Sequence, residues 1–209
     1  MEFLFIIIIL AIFLVVVFKK FGNTAAAKGR KAEARVSKII QRSLKNERFG
    51  LFNDLLIEHD GDITQIDHVL ICDRGIFVIE TKNLKGWIFG GERSRNWTHV
   101  LYQSKHKFQN PLHQNYKHIK VLQAALELPR SKLISLVVFT NRAEFKTEVP
   151  ANVIYIHKLR YTLFSWDQGL LKNHEIDEIY WKLDGIRMEN NRKNRKLHRR
   201  HVKNIARNK

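Results

Sequence analysis

Cysteine is almost absent from this chain: Cys72 stands alone among 209 residues. One thiol excludes an internal disulfide and any cysteine-rich zinc site. It lies in the apolar run Val69-Leu70-Ile71-Cys72, which makes it a small core residue and not a nucleophile. Acids are scarce as well, 20 against 37 Lys and Arg, for a formal net charge of +17. That surplus directs the chain toward polyanions, nucleic acid or an anionic membrane face, and says nothing about fold. The ten histidines invite a zinc reading, but no His-Glu-x-x-His occurs. His113 and His118 are five apart, which does not stack two ligands on one helix face. There is no Gly-x-Ser-x-Gly elbow, no glycine loop of the kind that cradles phosphate, and no internal repeat.

What is present is enough for one domain with appendages: 44% hydrophobic residues, with 13 Phe and 4 Trp, can build a sizeable core. Phe3 to Phe18 is an unbroken run of 16 apolar residues, followed at once by Lys19 and Lys20. A membrane-spanning helix needs about 20 apolar residues, and lysine stems that snorkel extend a short one. A cleaved signal peptide competes with this, but the run is preceded only by Met1-Glu2, with no positive n-region. The sequence therefore predicts one transmembrane helix. Lys19, Lys20, Lys28, Arg30 and Lys31 all follow it, so the positive-inside rule places the N-terminus outside and the remaining chain in the cytoplasm.

At the other end, ten of the bases lie between Arg187 and Lys209, with Glu189 as the one acid among them. Such a tail cannot build a core and is expected to be disordered or only nascently helical when free. It reads as a solubilising tail, as a contact for a nucleic-acid backbone, or as a contact for anionic lipid.

Between these ends the pattern alternates. Ala32, Val36, Ile39, Ile40 and Leu44 recur at helical spacing. A strand over 54–58 is expected to end at Asp60-Gly61-Asp62, with a second over 64–72, the turn Asp73-Arg74-Gly75, and a third over 76–81. The stretch 83–91 reads as a glycine-punctuated loop carrying Trp87, and 97–101 as a short strand. Asn110-Pro111 opens a helix to Leu126. Strands follow over 133–139 and 152–156, then helices over 158–171 and 175–186. Three meandering strands and a helical crossover into a fourth predict an α/β fold, a mixed central sheet flanked by helices. Trp87 and Trp97 are expected to be core or loop packing.

The chemistry concentrates in two of these strands. Glu80 and Lys82 are two apart on a strand and therefore share a face, while Thr81 points away. Gly75 to Ile79 is nearly continuous in apolar residues, so the strand should be buried on both faces and its terminal charges partly desolvated. Asp67 interrupts the neighbouring strand. Two carboxylates brought together repel unless a cation lies between them, and a hard divalent ion with oxygen ligands meets that need. Lys82 would orient or deprotonate an attacking water and neutralise charge in a phosphoryl transition state. A purely structural Lys82 salt bridge is the competing account.

The stretch from about Gly29 to Leu126 resembles the nuclease-related domain, NERD, of the PD-(D/E)xK nuclease-like superfamily. The resemblance is carried by Gly29 through Glu33 to Val36, Gln65-Ile66-Asp67-His68, Gly75 to Asn83, Gly86-Trp87, Trp97, and Asn110 to Gln114. It implies that Asp67, Glu80 and Glu33 hold Mg²⁺ (or Mn²⁺), that Lys82 is the motif lysine, and that Gln114 assists from the helix. Asn115 and His118, on the same helix, would help position a phosphate or a metal-bound water. Ala32 stands where a glycine commonly precedes the acid, and Ile66 where the proline of the superfamily's name would be. The expected organisation is an anchor over 1–21, a linker over 22–28, a nuclease-like domain over 29–186 and a basic tail over 187–209. The expected function is membrane-anchored, metal-dependent DNA hydrolysis. The alternatives are a non-catalytic nucleic-acid-binding or scaffold protein, or a membrane-surface protein whose tail binds anionic lipid.

Overall fold

The computed structural model describes residue 7 and residues 26–207. A helix over 26–43, α1, opens the described chain. Its apolar stripe does what the spacing requires: Ala32, Val36, Ile40 and Leu44 are buried.

Three antiparallel strands follow. β1 is Phe49–His59, β2 is Asp62–Cys72 and β3 is Gly75–Lys82. The β1–β2 hairpin closes on Asp60 and Gly61, both at positive φ. That is the type I′ geometry whose twist suits a two-residue hairpin, and it is why Asp-Gly stands there. β1 starts earlier than the 54–58 expectation because Asn53-Asp54 hides it; Asp54 takes φ +53° inside the strand and its pairing position is skipped. Asx residues tolerate the left-handed region, and are depleted in strands, so the apolar pattern broke there.

After β3 the chain makes β4 (Gly86–Phe89), β5 (Asn96–Leu101) and β6 (Ser104–Gln109). The expected loop over 83–91 is thus corrected, since it contains a strand. β6 was missed because Ser104 to Lys107 is polar and exposed on both faces. α2, Pro111–Leu126, begins where Asn110 accepts the Leu112 N–H and proline takes the first turn. Its crossover returns the chain to β7, Leu133–Phe139, which lies parallel to β3. β8 (Ala143–Phe145), β9 (Val153–Tyr155), α3 (Leu159–Phe164) and α4 (Asn173–Ile186) complete the domain.

The central sheet runs β1-β2-β3-β7-β9, and a second runs β6-β5-β4-β8. Phe77 and Ile79 pack with Val36 and Ile40 of α1 and Leu159 and Leu163 of α3. Val78 packs on the opposite side with Ile119 and Leu122 of α2 and Ile176 and Leu183 of α4. The expected mixed sheet between helices is the observed architecture. Each fully buried Ile, Leu, Val or Phe contributes about 1.5–3 kcal/mol. Ile76 to Ile79 are all fully buried, so β3 is the axis of the domain.

Two expectations are corrected at the ends. The basic tail is not structureless: Arg192–Arg207 forms a helix, α5, that packs against β2. Its lead-in is anchored, because Arg187 bridges Ile57 and the Met188 N–H donates to the Leu56 carbonyl at 2.8 Å. The single-pass topology, with an outside N-terminus and a cytoplasmic domain, is also corrected. Among the described residues no helix is long and apolar enough to cross a membrane. The longest, α1, carries Lys28, Arg30, Lys31, Glu33, Arg35, Lys38 and Arg42. The run assigned to the anchor, residues 1–21, lies outside the described residues apart from residue 7, as does most of the 22–28 linker.

Candidate active site

The end of β3 is where the sheet becomes polar. Glu80 is buried and Lys82 is one-fifth exposed. Strand alternation puts them on one side, and Lys82 Nζ donates to Glu80 Oε1 at 2.7 Å and to Gln114 Oε1 at 2.9 Å. Gln114 is brought there by the first turns of α2. Glu80, Lys82 and Gln114 are therefore one hydrogen-bonded group.

Asp67 reaches the same place from β2. The β2–β3 ladder ends at His68 and Ile79, and one step further Asp67 Oδ2 accepts the Thr81 N–H at 2.8 Å. A carboxylate thus replaces the next ladder bond. Burial, then Glu80 and Glu33, push the Asp67 carboxyl well above its usual range, against the Thr81 bond and Lys82. Burial would raise Glu80 as well, but His118 and Lys82 outweigh it and hold Glu80 below the usual range. The two carboxyls are thus pushed in opposite directions, Asp67 up and Glu80 down. Glu33, on α1, is raised by burial, then by Asp54 and Glu80, with Arg30 and Arg195 opposing.

The structure therefore brings all five expected residues, Glu33, Asp67, Glu80, Lys82 and Gln114, into one electrostatic neighbourhood. It separates the two helix residues named beside them. Asn115 is fully buried and donates to the Val78 carbonyl at 2.7 Å and Ser135 Oγ at 2.9 Å. It ties α2 to β3 and β7, so its expected part in positioning phosphate is corrected to a structural one. His118 does face the site. Its Nδ1 lies 2.9 Å from Thr64 Oγ1 and its Nε2 is 3.5 Å from Glu80 Oε2.

Asp54 was not singled out from the sequence. Level with Asp67 on the neighbouring strand, it accepts from Gln65 Nε2 and pairs with Arg195 of α5 at 2.7 Å. The signal was legible: an Asn-Asp pair inside an apolar strand, a position that a merely packed strand has no use for.

The donor set suits a hard divalent cation. Glu80 helps to raise both Glu33 and Asp67, and Glu80 Oε2 is a buried acceptor without a hydrogen-bond partner. Even so, no group of three His, Cys, Asp or Glu among the described residues is arranged to hold a metal ion. The expected Glu33-Asp67-Glu80 cage is not closed, because the Lys82 ammonium takes Glu80 Oε1 and the Thr81 amide takes Asp67 Oδ2.

A mixed sheet between helices, with an acid on one strand beside Glu-x-Lys at the end of the next, fits a nuclease-like fold. The nuclease-related domain model matches residues 28–140, and the chain belongs to that family. It is 33% identical over 180 residues to an uncharacterized protein of Bacillus anthracis, covering 84% of this chain and 82% of that one. A crystal structure of a protein of unknown function, AF1548, aligns over 80% of this chain and 95% of that one. Its identity is 12% and its TM-score 0.27, so it carries no argument.

Proposed function

We propose that this nuclease-related protein hydrolyses phosphodiester bonds in DNA with a divalent metal, as a member of the PD-(D/E)xK type. One observation carries the reading: Lys82 Nζ is held between Glu80 and Gln114, beside an Asp67 whose carboxyl is raised by burial and then by Glu80 and Glu33. A salt bridge built only for stability would not need two further carboxylates pressed against it, since each adds repulsion.

Asp67, Glu80 and Glu33 would hold Mg²⁺ or Mn²⁺, which supplies neutralisation of phosphate charge and a more acidic water when bound. The protein's own groups divide the remaining work. Lys82 presents a positive charge, one-fifth exposed and fixed by two acceptors, where charge develops on the phosphoryl oxygens. Gln114 holds the ammonium in place. His118 is oriented by Thr64 and stands with its Nε2 3.5 Å from Glu80 Oε2. Outside the site, α5 supplies a basic surface for the phosphate backbone, docked by Arg195 onto Asp54.

A second reading has its own observation. Lys82 neutralises Glu80 and no three-residue metal group is formed among the described residues, which suits a nucleic-acid-binding protein that keeps the fold without turnover. The test is incubation of the purified chain with linear, nicked and single-stranded DNA plus Mg²⁺ or Mn²⁺, beside Glu80→Ala and Lys82→Ala. Metal-dependent cleavage lost in both variants supports the enzyme. DNA that stays intact under every condition while still being bound establishes the binding protein.

A further inference from the structure

Trp87 is half exposed, where the sequence pointed to packing, while Trp97 is fully buried. The difference is a matter of register. Trp97, Ile88 and Phe108 face the core shared with Val137 and Phe139. Trp87 and Phe89, flanking Ile88 on β4, face away and are 48% and 37% exposed. Pairing extends this outward face across the second sheet: Trp87 opposes Val100, which opposes Lys105, and Phe89 opposes Thr98, which opposes Lys107. On the other flank, Lys146 Nζ stands 4.8 Å over the Trp87 ring. Glu144, the acid beside Trp87 in the register, is paired to Lys146. At the rim, Tyr102 is 85% exposed with Lys85 Nζ 5.8 Å from its ring.

We infer that this outward face of the β4–β5–β6–β8 sheet is a stacking platform for single-stranded nucleic acid, with Trp87 and Phe89 receiving bases and Lys105 and Lys107 receiving phosphates. Lysines on β6 alone have a simpler explanation, because edge strands carry them to block strand pairing. That does not account for two aromatic side chains left in solvent on β4, an interior strand of the sheet. Side chains two apart on a strand present rings side by side, and base–aromatic stacking needs no sequence readout. The single acid on the face is already neutralised, so the surface complements a polyanion. A duplex cannot use the rings, since its bases are stacked on each other.

The platform also extends the nuclease reading, and rests on it in this respect alone: it names the strand the site would be given. Trp87 follows Lys82 by five residues, at most about 17 Å of chain. A strand lying on the rings reaches Lys82 within a few nucleotides.

The full chain is titrated in chelator against a labelled oligothymidine, a duplex of equal length, and heparin, with anisotropy as the readout. Trp87→Ala combined with Phe89→Ala should weaken single-strand binding about tenfold or more, with duplex and heparin binding within about twofold. Trp87→Phe, which keeps a ring, should stay within about threefold of the parent and serves as the folding control. Lys105→Ala with Lys107→Ala should lower the salt slope for the single strand by about 1.4. Unchanged single-strand affinity in the folded ring-less variant overturns the inference, as does an equal loss on all three probes. Because chelator removes turnover, a chain that binds through the rings but never cleaves DNA sinks the proposed function and leaves the platform standing.

Discussion

Asp67 accepts the backbone N–H of Thr81 at 2.8 Å, one step beyond the last ladder pair of β2 and β3. The bond fixes a carboxylate beside Glu80 at a point where two neutral strands would have continued pairing. The local fold thus spends a ladder position on bringing two acids together, and the cost is visible in the raised Asp67 carboxyl.

That strain predicts a stabilising substitution. A raised carboxyl keeps its proton above the point where the unfolded chain has released it. In that window the folded state binds more protons, so stability falls as pH rises from about 4 through the folded value. Asp67→Asn keeps an oxygen to accept the Thr81 N–H and removes the charge. Urea denaturation in chelator at pH 7 should show Asp67→Asn more stable by about 0.5–2 kcal/mol, while DNA cleavage is lost. A variant less stable than the parent would remove the argument for repulsion.

Lys82 is expected to behave in the opposite sense. Lys82→Met leaves the Glu80 carboxylate buried with its 2.7 Å partner gone, and should cost about 1–3 kcal/mol. Adding Glu80→Gln should recover most of that loss. Both single variants should lower kcat on Mg²⁺-dependent cleavage by about 100-fold or more, and Gln114→Ala by about tenfold. Recovery of stability without recovery of activity separates the chemical role of Lys82 from a purely structural salt bridge.

How much of this was written in the sequence varies with the physics of each element. Strand alternation places Glu80 and Lys82 together from spacing alone, and the helix opened by Asn110-Pro111 runs over its expected residues because capping, proline and an apolar stripe agree. Of the second sheet only β5 was legible, as the strand expected over 97–101; β6 was not, because it reads Ser104-Lys105-His106-Lys107 and buries almost nothing, so its pairing comes from β5 and not from its own pattern. The start of β1 was hidden by the left-handed turn of Asp54, which interrupts its apolar run, although the Asn53-Asp54 pair that marks the spot is plain in the sequence. The helical state of 192–207 escaped for a different reason. Its order comes from partners in β1 and β2, which composition cannot show.

His68 gives a pH signature on the other face of the sheet. It is buried against Asn53 Oδ1 at 2.7 Å, and burial lowers its imidazole to about 4. The unfolded chain takes up that proton near pH 6.5 and the folded chain does not. The unfolded state therefore binds more protons between these values, and stability drops as pH falls from about 6.5 toward 4, by up to about 3 kcal/mol. His68→Gln, which can still donate to Asn53, should flatten that slope in a series of urea midpoints. An equally steep slope in the variant would assign the acid sensitivity elsewhere.

Asn115 tests the structural side of α2. Its amide donates to Val78 O and Ser135 Oγ in a fully buried position. Asn115→Leu should cost about 2–4 kcal/mol, because it takes a partner from a buried carbonyl and a half-buried hydroxyl as well as changing shape. At temperatures where the variant remains folded, kcat should change less than it does in Gln114→Ala, one residue away. A larger fall in kcat would return Asn115 to the chemistry.

The C-terminal helix sets the last prediction, because its docking and its charge pull in different directions. Arg195 pairs with Asp54 and opposes the raised Glu33 carboxyl, so it is committed to the protein's own acids. The pair is partly exposed and contributes about 1 kcal/mol or less to stability. Arg195→Glu would set a third carboxylate against Asp54 and Glu33, and should release α5, read as faster amide exchange over 192–200. The other bases of the helix, Arg192, Lys193, Lys196, Arg199 and Arg200 among them, remain present. If position matters, duplex affinity falls several-fold although only one base has changed. Ending the chain after Asn191, which keeps the Arg187 and Met188 contacts with β1, should go further. It should lower the slope of log affinity against log salt by about 0.9 for each phosphate contact removed. Arg195→Glu binding duplex as tightly as the parent, with α5 released, would show that the helix acts as a charged tail whose docking is irrelevant to DNA.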